Sequence, residues 1–273
     1  MKYKLFISDF DGTLVRSDGT LSKKNIEAIT KYREAGGIFA VCTGRMLPSI
    51  LPRAREIGLT DGLLVAFQGA TVCDLATEKL LLDKGFQAED SLSVLRLLEN
   101  LGLHIHMYTV YDLYCNRADK WLLQYEKICG VKANVITDEP LAAVAERKKL
   151  RIVKILAIVP PAESAALRER LQDKLGERFF VTCSADSLVE VMPADQTKGE
   201  AVKFLSRYYG IAPSEIAAIG DQWNDLPMLE EAGGKFTVKN GVAELKKYAK
   251  EVASNDEDGV AEAILKYAME GQE

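Results

Sequence analysis

Tyr3-Lys4-Leu5-Phe6-Ile7-Ser8-Asp9-Phe10-Asp11-Gly12-Thr13-Leu14 is the stretch whose reading decides the fold. Residues 3–8 are rich in β-formers and mostly apolar, which predicts a strand buried on both faces, as in a parallel sheet. Two carboxylates, Asp9 and Asp11, follow at the strand's end, and Gly12 permits a sharp turn. Working outward, Ser22 is a plausible helix cap, with Leu21 placed to staple onto Ile26 and Gly36 to close the helix. Strands are expected at 38–42 and 63–67. The order strand, helix, strand, helix, strand predicts a doubly wound α/β sheet. Pro52, four residues after Pro48, is expected to kink the second helix.

The pattern changes after Gln68. A short hairpin (71–74 and 79–82) precedes a helix over 91–101, strands at 104–108 and 112–116, a helix over 118–128 and a strand at 152–159. Pro160-Pro161 opens a helix to about 175, and 179–183 and 188–192 again look like strands. This proportion predicts an inserted α+β domain at 84–187, between core segments 1–83 and 188–273. The first style then returns. Thr197 and Glu200 form a capping box, with Gly210 as the stop. A strand at 215–219, a helix at 225–231, a strand at 235–238 and helices at 242–248 and 259–267 complete the reading.

Length and composition agree with two folded domains: the chain has 273 residues, is 48% hydrophobic and 27% charged, and carries a net charge of −5. The mild acidity argues against broad nucleic-acid binding. No run of 18 apolar residues predicts a membrane span. The N-terminal apolar run is too short for a signal-peptide core, and five scattered cysteines without a Cys-x-x-Cys pair fit a reduced, cytoplasmic setting. The cysteines read as small buried apolar residues. His104 and His106 share one face of a strand and read as structural, with substrate contact as the alternative.

Three places could carry chemistry, each where a strand meets its following loop, the position at which open α/β sheets bind ligands. They are Asp9 and Asp11; Thr43-Gly44-Arg45; and Gly220-Asp221-Gln222-Trp223-Asn224-Asp225. Lys198 sits just inside the start of the preceding helix. Converging carboxylates repel unless a cation sits among them, and Mg²⁺ suits an all-oxygen site that also uses phosphate and water. With two histidines and no Cys pair, zinc is a poor candidate for this site. Such an arrangement suits a phosphoryl group, whose transfer depends on positioning and charge neutralisation.

The four motifs Asp9-x-Asp11-Gly12-Thr13, Thr43-Gly44-Arg45, Lys198-Gly199 and Gly220-Asp221-x-x-Asn224-Asp225 resemble those of the haloacid dehalogenase-like superfamily, and the chain resembles its Cof-type sugar-phosphatase subfamily. Asp11 and Thr43 are too close for a cap domain between them, whereas Thr43 to Lys198 leaves room for one. The stretch from Ser254 to Ala261 also looks like that subfamily. The resemblance implies a Rossmann-like core with an inserted cap and a Mg²⁺-dependent phosphatase acting on small phosphorylated metabolites, sugar phosphates first and flavin or pyridoxal phosphates after them. It implies Asp9 as nucleophile and Asp11 as general acid and base. Thr43, Gly44, Lys198 and Asn224 would bind phosphoryl oxygens. Asp9, the Asp11 carbonyl and Asp221 would hold the metal, with Asp225 in support. A monomer or small homo-oligomer is expected. Gln68-Gly69-Ala70 stands where relatives show Asn-Gly-Ala, Trp223 is bulky for the fourth motif, and Lys235–Asn240 lacks the Met-Gly-Asn pattern common there. A phosphomutase or phosphotransferase on the same scaffold, or a non-catalytic phosphometabolite-binding regulator, are the rival readings.

Overall fold

In the computed structural model residues 1–269 are described, and they divide into two compact units. The chain begins with β1 (Leu5–Ser8), α1 (Lys23–Glu34), β2 (Ile38–Val41), α2 (Leu47–Glu56), β3 (Leu63–Ala66), β4 (Thr71–Asp74) and β5 (Leu80–Asp83). It continues with α3 (Ala88–Asn100), β6 (His104–Tyr108), β7 (Leu113–Cys115), α4 (Lys120–Cys129), β8 (Ala133–Val135) and α5 (Leu141–Lys148). Then come β9 (Lys154–Ile158), α6 (Pro161–Leu175), β10 (Phe179–Ala185) and β11 (Leu188–Pro193). It returns through α7 (Lys198–Tyr209), β12 (Ile216–Gly220), α8 (Leu226–Glu231), β13 (Gly234–Val238), β14 (Lys250–Val252) and α9 (Gly259–Glu262), which runs on as a π-helical turn over Ala263–Ala268.

The first unit comprises, among the described residues, 1–44, 51–82 and 197–269. Its main sheet is parallel, in the order β14-β13-β12-β1-β2. All four residues of β1 are buried, because a central parallel strand is covered on both faces. Leu5 and Ile7 pack with Ala40, Ala218, Val202 and Leu205 on one side, while Phe6 stacks against Phe39 and Phe236 on the other. The α1 cap is as expected: the Ser22 hydroxyl accepts from the Lys24 and Asn25 amides. The third expected strand, β3, meets this sheet through a single parallel bridge, Cys42 to Val65, and otherwise forms a small sheet with β4 and β5. Helix α2 contains Pro52 and continues past it to Glu56.

The second unit comprises residues 45–50 and 83–196. Its sheet runs β10-β11-β9-β6-β7-β8, antiparallel except for β7 with β8. One face carries Ile105, Met107, Ile155, Ala157 and Val191 into an apolar core with Leu95, Leu98 and Leu171. This corrects the expected insert boundary of 187. Strand β11 lies between β10 and β9, so the inserted unit extends to Gln196. A buried apolar strand reads alike in either sheet, and only its partners assign it. Strand β8 and helix α5 lie in a stretch to which the sequence reading assigned no element. The expected helix at 242–248 is only a 3₁₀ turn at Leu245–Lys247 leading into the edge strand β14, which is too short to show a period.

Candidate active site

Register assembles the site. Ser8 pairs with Ile219 on one side and Val41 on the other, so Asp9, Asp221 and the Cys42–Thr43 segment leave three adjacent parallel strands at the same edge. The Asp9 amide donates to the Ile219 carbonyl (2.9 Å), and the Cys42 amide to the Ser8 carbonyl (2.9 Å). Asp9 and, more than two hundred positions later, Asp221 and Asp225 each place a carboxylate oxygen within 4.8 Å of the others.

Lys198, fully buried in the first turn of α7, lies between two of these acids. Its Nζ is 2.5 Å from Asp9 Oδ1 and 2.5 Å from Asp225 Oδ1. The other Asp225 oxygen accepts from the Asp221 amide (2.9 Å) and the Gln222 amide (3.0 Å), which holds the turn after β12 closed. Thr13 donates its hydroxyl to Asp221 Oδ1 at 2.7 Å. Gly12 has φ +76°, and a Cβ there would lie 2.4 Å from Asp221 Oδ2, so the first loop presses on the fourth-motif acid in a way only glycine permits.

The electrostatics are unbalanced: three buried carboxylates surround one ammonium. Burial raises Asp9 well above the usual carboxylate value, against the pull of Lys198 and with the repulsion of Asp225 and Asp221. Burial, then the Asp225 charge, raises Asp221 as well, to about 7, against the Thr13 hydrogen bond and the Lys198 charge. Burial alone would lower Lys198, but Asp225 and Asp9 reverse this and hold the ammonium above its ordinary value. The donors are all oxygen and their charge is uncompensated, which fits a hard divalent ion.

Thr43 is buried, its amide donating to Val65 (3.0 Å) and its carbonyl accepting from the Gln68 amide (2.9 Å). Asp11 is exposed beside the buried set. Asn224 is buried, donates Nδ2 to Gln68 Oε1 at 3.0 Å, and leaves Oδ1 without a protein partner among the described residues. Gln68 has a left-handed backbone (φ 57°), and a Cβ at Gly44 would lie 2.4 Å from its side-chain Nε2. The position read as a departure from the relatives' Asn therefore spans two expected phosphate-binding residues, Gly44 and Asn224. Trp223 is 43% exposed.

Asn240 was missed by the sequence reading. Its Nδ2 donates to the Gly12 carbonyl (2.7 Å), and its Oδ1 accepts from the Asn255 amide (3.0 Å). Asn255 in turn donates to the Val15 carbonyl (2.9 Å), and Arg16 pairs with Asp258 at 2.9 Å. The stretch from Ser254 onward is thus a brace for the loop that carries Asp11. Its signals in the sequence are the likeness of Ser254–Ala261 to the subfamily and the density of Asn and Asp there.

A family model described as haloacid dehalogenase-like hydrolase matches residues 6–264. A Haemophilus influenzae protein, provisionally named a phosphatase, is 31% identical over 96% of this chain and 97% of its own. The HMP-PP phosphatase of Klebsiella pneumoniae is 27% identical over 89% of this chain and 86% of its own. A haloacid dehalogenase-like hydrolase from Bacteroides thetaiotaomicron superposes with a TM-score of 0.83 at 25% identity, covering 97% of this chain and 99% of that one.

Proposed function

The chain belongs to the haloacid dehalogenase-like hydrolases, in their Cof-type branch, and is a phosphoric monoester hydrolase; from that premise we propose that it works through an aspartyl-phosphate with Mg²⁺. The observation that carries this reading is the meeting of Asp9, Asp221 and Asp225 around Lys198 at the carboxyl ends of adjacent strands. Asp9, the Asp11 carbonyl and Asp221 would hold the ion. When bound, Mg²⁺ supplies positive charge that keeps Asp9 ionised and offsets the charge of the phosphoryl oxygens.

Asp9 attacks phosphorus, and the bond to the leaving oxygen breaks as the acyl-phosphate bond forms, dividing one hard step into two. Asp11 gives its proton to the leaving alkoxide and then takes one from the water that cleaves the intermediate. Its exposure supports this role, since the leaving group must depart past it. Lys198 aligns Asp9 and faces the transferring group with a fixed charge, while Asp225 holds Lys198 in place. Thr43, the Gly44 amide and Asn224 bind the remaining phosphoryl oxygens, and the unpartnered Asn224 Oδ1 and the bridging Gln68 set the edge of that pocket.

The substrates are small phosphorylated metabolites, sugar phosphates foremost, in keeping with relatives named for HMP-PP and for 5-amino-6-(5-phospho-D-ribitylamino)uracil. The test is a panel of phosphorylated metabolites assayed with Mg²⁺ and with EDTA. Inorganic phosphate should appear in step with substrate loss, only with the metal. Retention of phosphate on an isomerised sugar would instead make the enzyme a mutase.

A further inference from the structure

Both histidines of the chain lie in the inserted unit, on β6. Alternation along the strand sends Ile105 and Met107 into the apolar core and His104 and His106 to the opposite face. That face is not open: His104 is 4% exposed, and His106 and Cys115 are fully buried. Cys115 enters through strand pairing, because His106 and Cys115 are directly opposed across β6 and β7. His104 Nε2 lies 3.1 Å from His106 Nε2 and 3.1 Å from Cys115 Sγ. All three ligand atoms fall within 4.8 Å of one another.

The outer nitrogens are committed elsewhere. His104 Nδ1 is 3.0 Å from Asp119 Oδ2, and the other Asp119 oxygen caps α4 through the Trp121 and Leu122 amides. His106 Nδ1 is 3.1 Å from the Tyr108 hydroxyl. A carboxylate behind a histidine fixes the tautomer with its proton on Nδ1, which turns the Nε2 lone pair inward; metal-binding histidines are oriented this way. His104 Nε2 then has one lone pair, and both His106 Nε2 and Cys115 Sγ approach it at 3.1 Å, while the thiol proton has an acceptor in the Arg117 carbonyl at 3.0 Å. A cation held by all three atoms takes the place of the thiol proton and needs the His106 proton on Nδ1, facing the Tyr108 hydroxyl oxygen.

We propose that His104 Nε2, His106 Nε2 and Cys115 Sγ form a zinc site in the inserted unit, separate from the carboxylate site. Ordinary Zn–N and Zn–S bonds in a tetrahedron need N···N of about 3.4 Å and N···S of about 3.6 Å, so the observed spacings open by a few tenths of an ångström on binding. Imidazole and thiolate donors select zinc over Mg²⁺, which prefers oxygen. Cys115 gives up its thiol proton to solvent as the Zn–S bond forms, and water completes the coordination. The ion ties β6, β7 and, through Asp119, the start of α4 into one unit. Two histidines and no Cys pair spoke against zinc in the sequence; these ligands come from facing strands, which no linear spacing displays.

The test uses the full-length protein, stripped with chelator and titrated with Co²⁺ in excess Mg²⁺ so that the carboxylate site is filled. One equivalent should produce a near-ultraviolet thiolate-to-cobalt charge-transfer band, discharged by one equivalent of Zn²⁺. Cys115→Ser should lose the band, and Asp9→Asn should keep it. Zn²⁺ should raise the melting temperature of the parent protein and not that of Cys115→Ser. Because that variant could fail to fold, zinc-edge X-ray absorption on the unmutated protein gives a second readout, with one sulfur and two imidazoles expected. The absence of a charge-transfer band, a band that survives Cys115→Ser, or an absorption spectrum of oxygen ligands alone overturns the proposal. None of these readouts depends on phosphatase activity, so the hydrolytic reading stands or falls separately.

Discussion

Two lysines in this chain are fully buried against carboxylates, and their surroundings differ instructively. In the inserted unit Lys154 meets Glu190 at 2.9 Å, with Ser184 donating to Glu190 at 2.8 Å and the Tyr108 ring against the ammonium. In the first unit Lys198 meets two carboxylates at once, and a third, Asp221, stands beside them. A balanced pair satisfies itself and has a structural meaning. An unbalanced cluster is costly for a fold unless something else brings positive charge, so the imbalance supports placing the proposed chemistry there.

The largest effect should come from within the unbalanced set. Asp9→Asn removes the proposed nucleophile and should lower kcat by at least about 10³-fold on a chromogenic phosphate ester, with the circular dichroism spectrum unchanged. Near-normal turnover would remove Asp9 from the mechanism and, with it, the meaning given to the imbalance. Lys198→Met should also abolish most turnover, and it strands Asp225 in a buried setting, so its melting temperature should fall as well.

Lys154→Met tests the other side. Removing one member of a buried pair costs about 3–5 kcal/mol in chemical denaturation, because the remaining charge loses its counter-charge. The kcat of the still-folded enzyme should be unchanged. Lys154→Met combined with Glu190→Leu should regain much of the lost stability, as replacement of a whole buried pair by apolar groups often does. A large loss of kcat in either variant would erase the distinction between the two lysines.

Acidity gives a subtler test. A carboxyl whose pKa is higher in the folded state than in the unfolded one holds its proton more tightly when folded. Its contribution therefore favours folding below the unfolded value, near 3.8, and is lost as pH climbs through the folded value, about 7 for Asp221. In EDTA, the contribution from Asp221 should thus decline between about pH 4 and pH 7, and that from Asp9, also raised, falls in the same direction. Asp221→Asn should flatten that decline, and the stabilisation gained from Mg²⁺ in the parent protein should grow over the same window. Mg²⁺ stabilisation that is equal at pH 5 and pH 7 would show that the ion does not replace protons on these acids.

Much of this architecture is legible in the sequence because local signals carried it. Apolar runs ending in Asp9, Thr43 and Asp221, together with the caps at Ser22 and Thr197, point to strand ends and helix starts without any knowledge of contacts. What escaped depends on pairing partners. Strand β11 is an apolar run whose sheet is chosen by β9 and β10. Strand β14, three residues at an edge, is shorter than the period needed to recognise it. Asn240 acts through a carbonyl 228 positions away, and Cys115 faces His106 only once the hairpin register is known.

The smallest effect sharpens the comparison at its neutral border. Gln68 carries no charge, yet it joins Asn224 and the Gly44 segment from a left-handed backbone position. Gln68→Asn suits that backbone, since Asn enters the left-handed region more readily, but it is one methylene shorter and should lose the 3.0 Å bond to Asn224. The lost hydrogen bond costs about 1 kcal/mol, which as substrate affinity is a rise in KM of roughly fivefold, while kcat should change little because the charged groups stay in place. Stability should be nearly constant, the lost bond being offset by relief of backbone strain. If kcat fell as steeply as in Lys198→Met, the neutral bridge would be positioning the reacting phosphoryl group itself, and charge imbalance alone would no longer define the site.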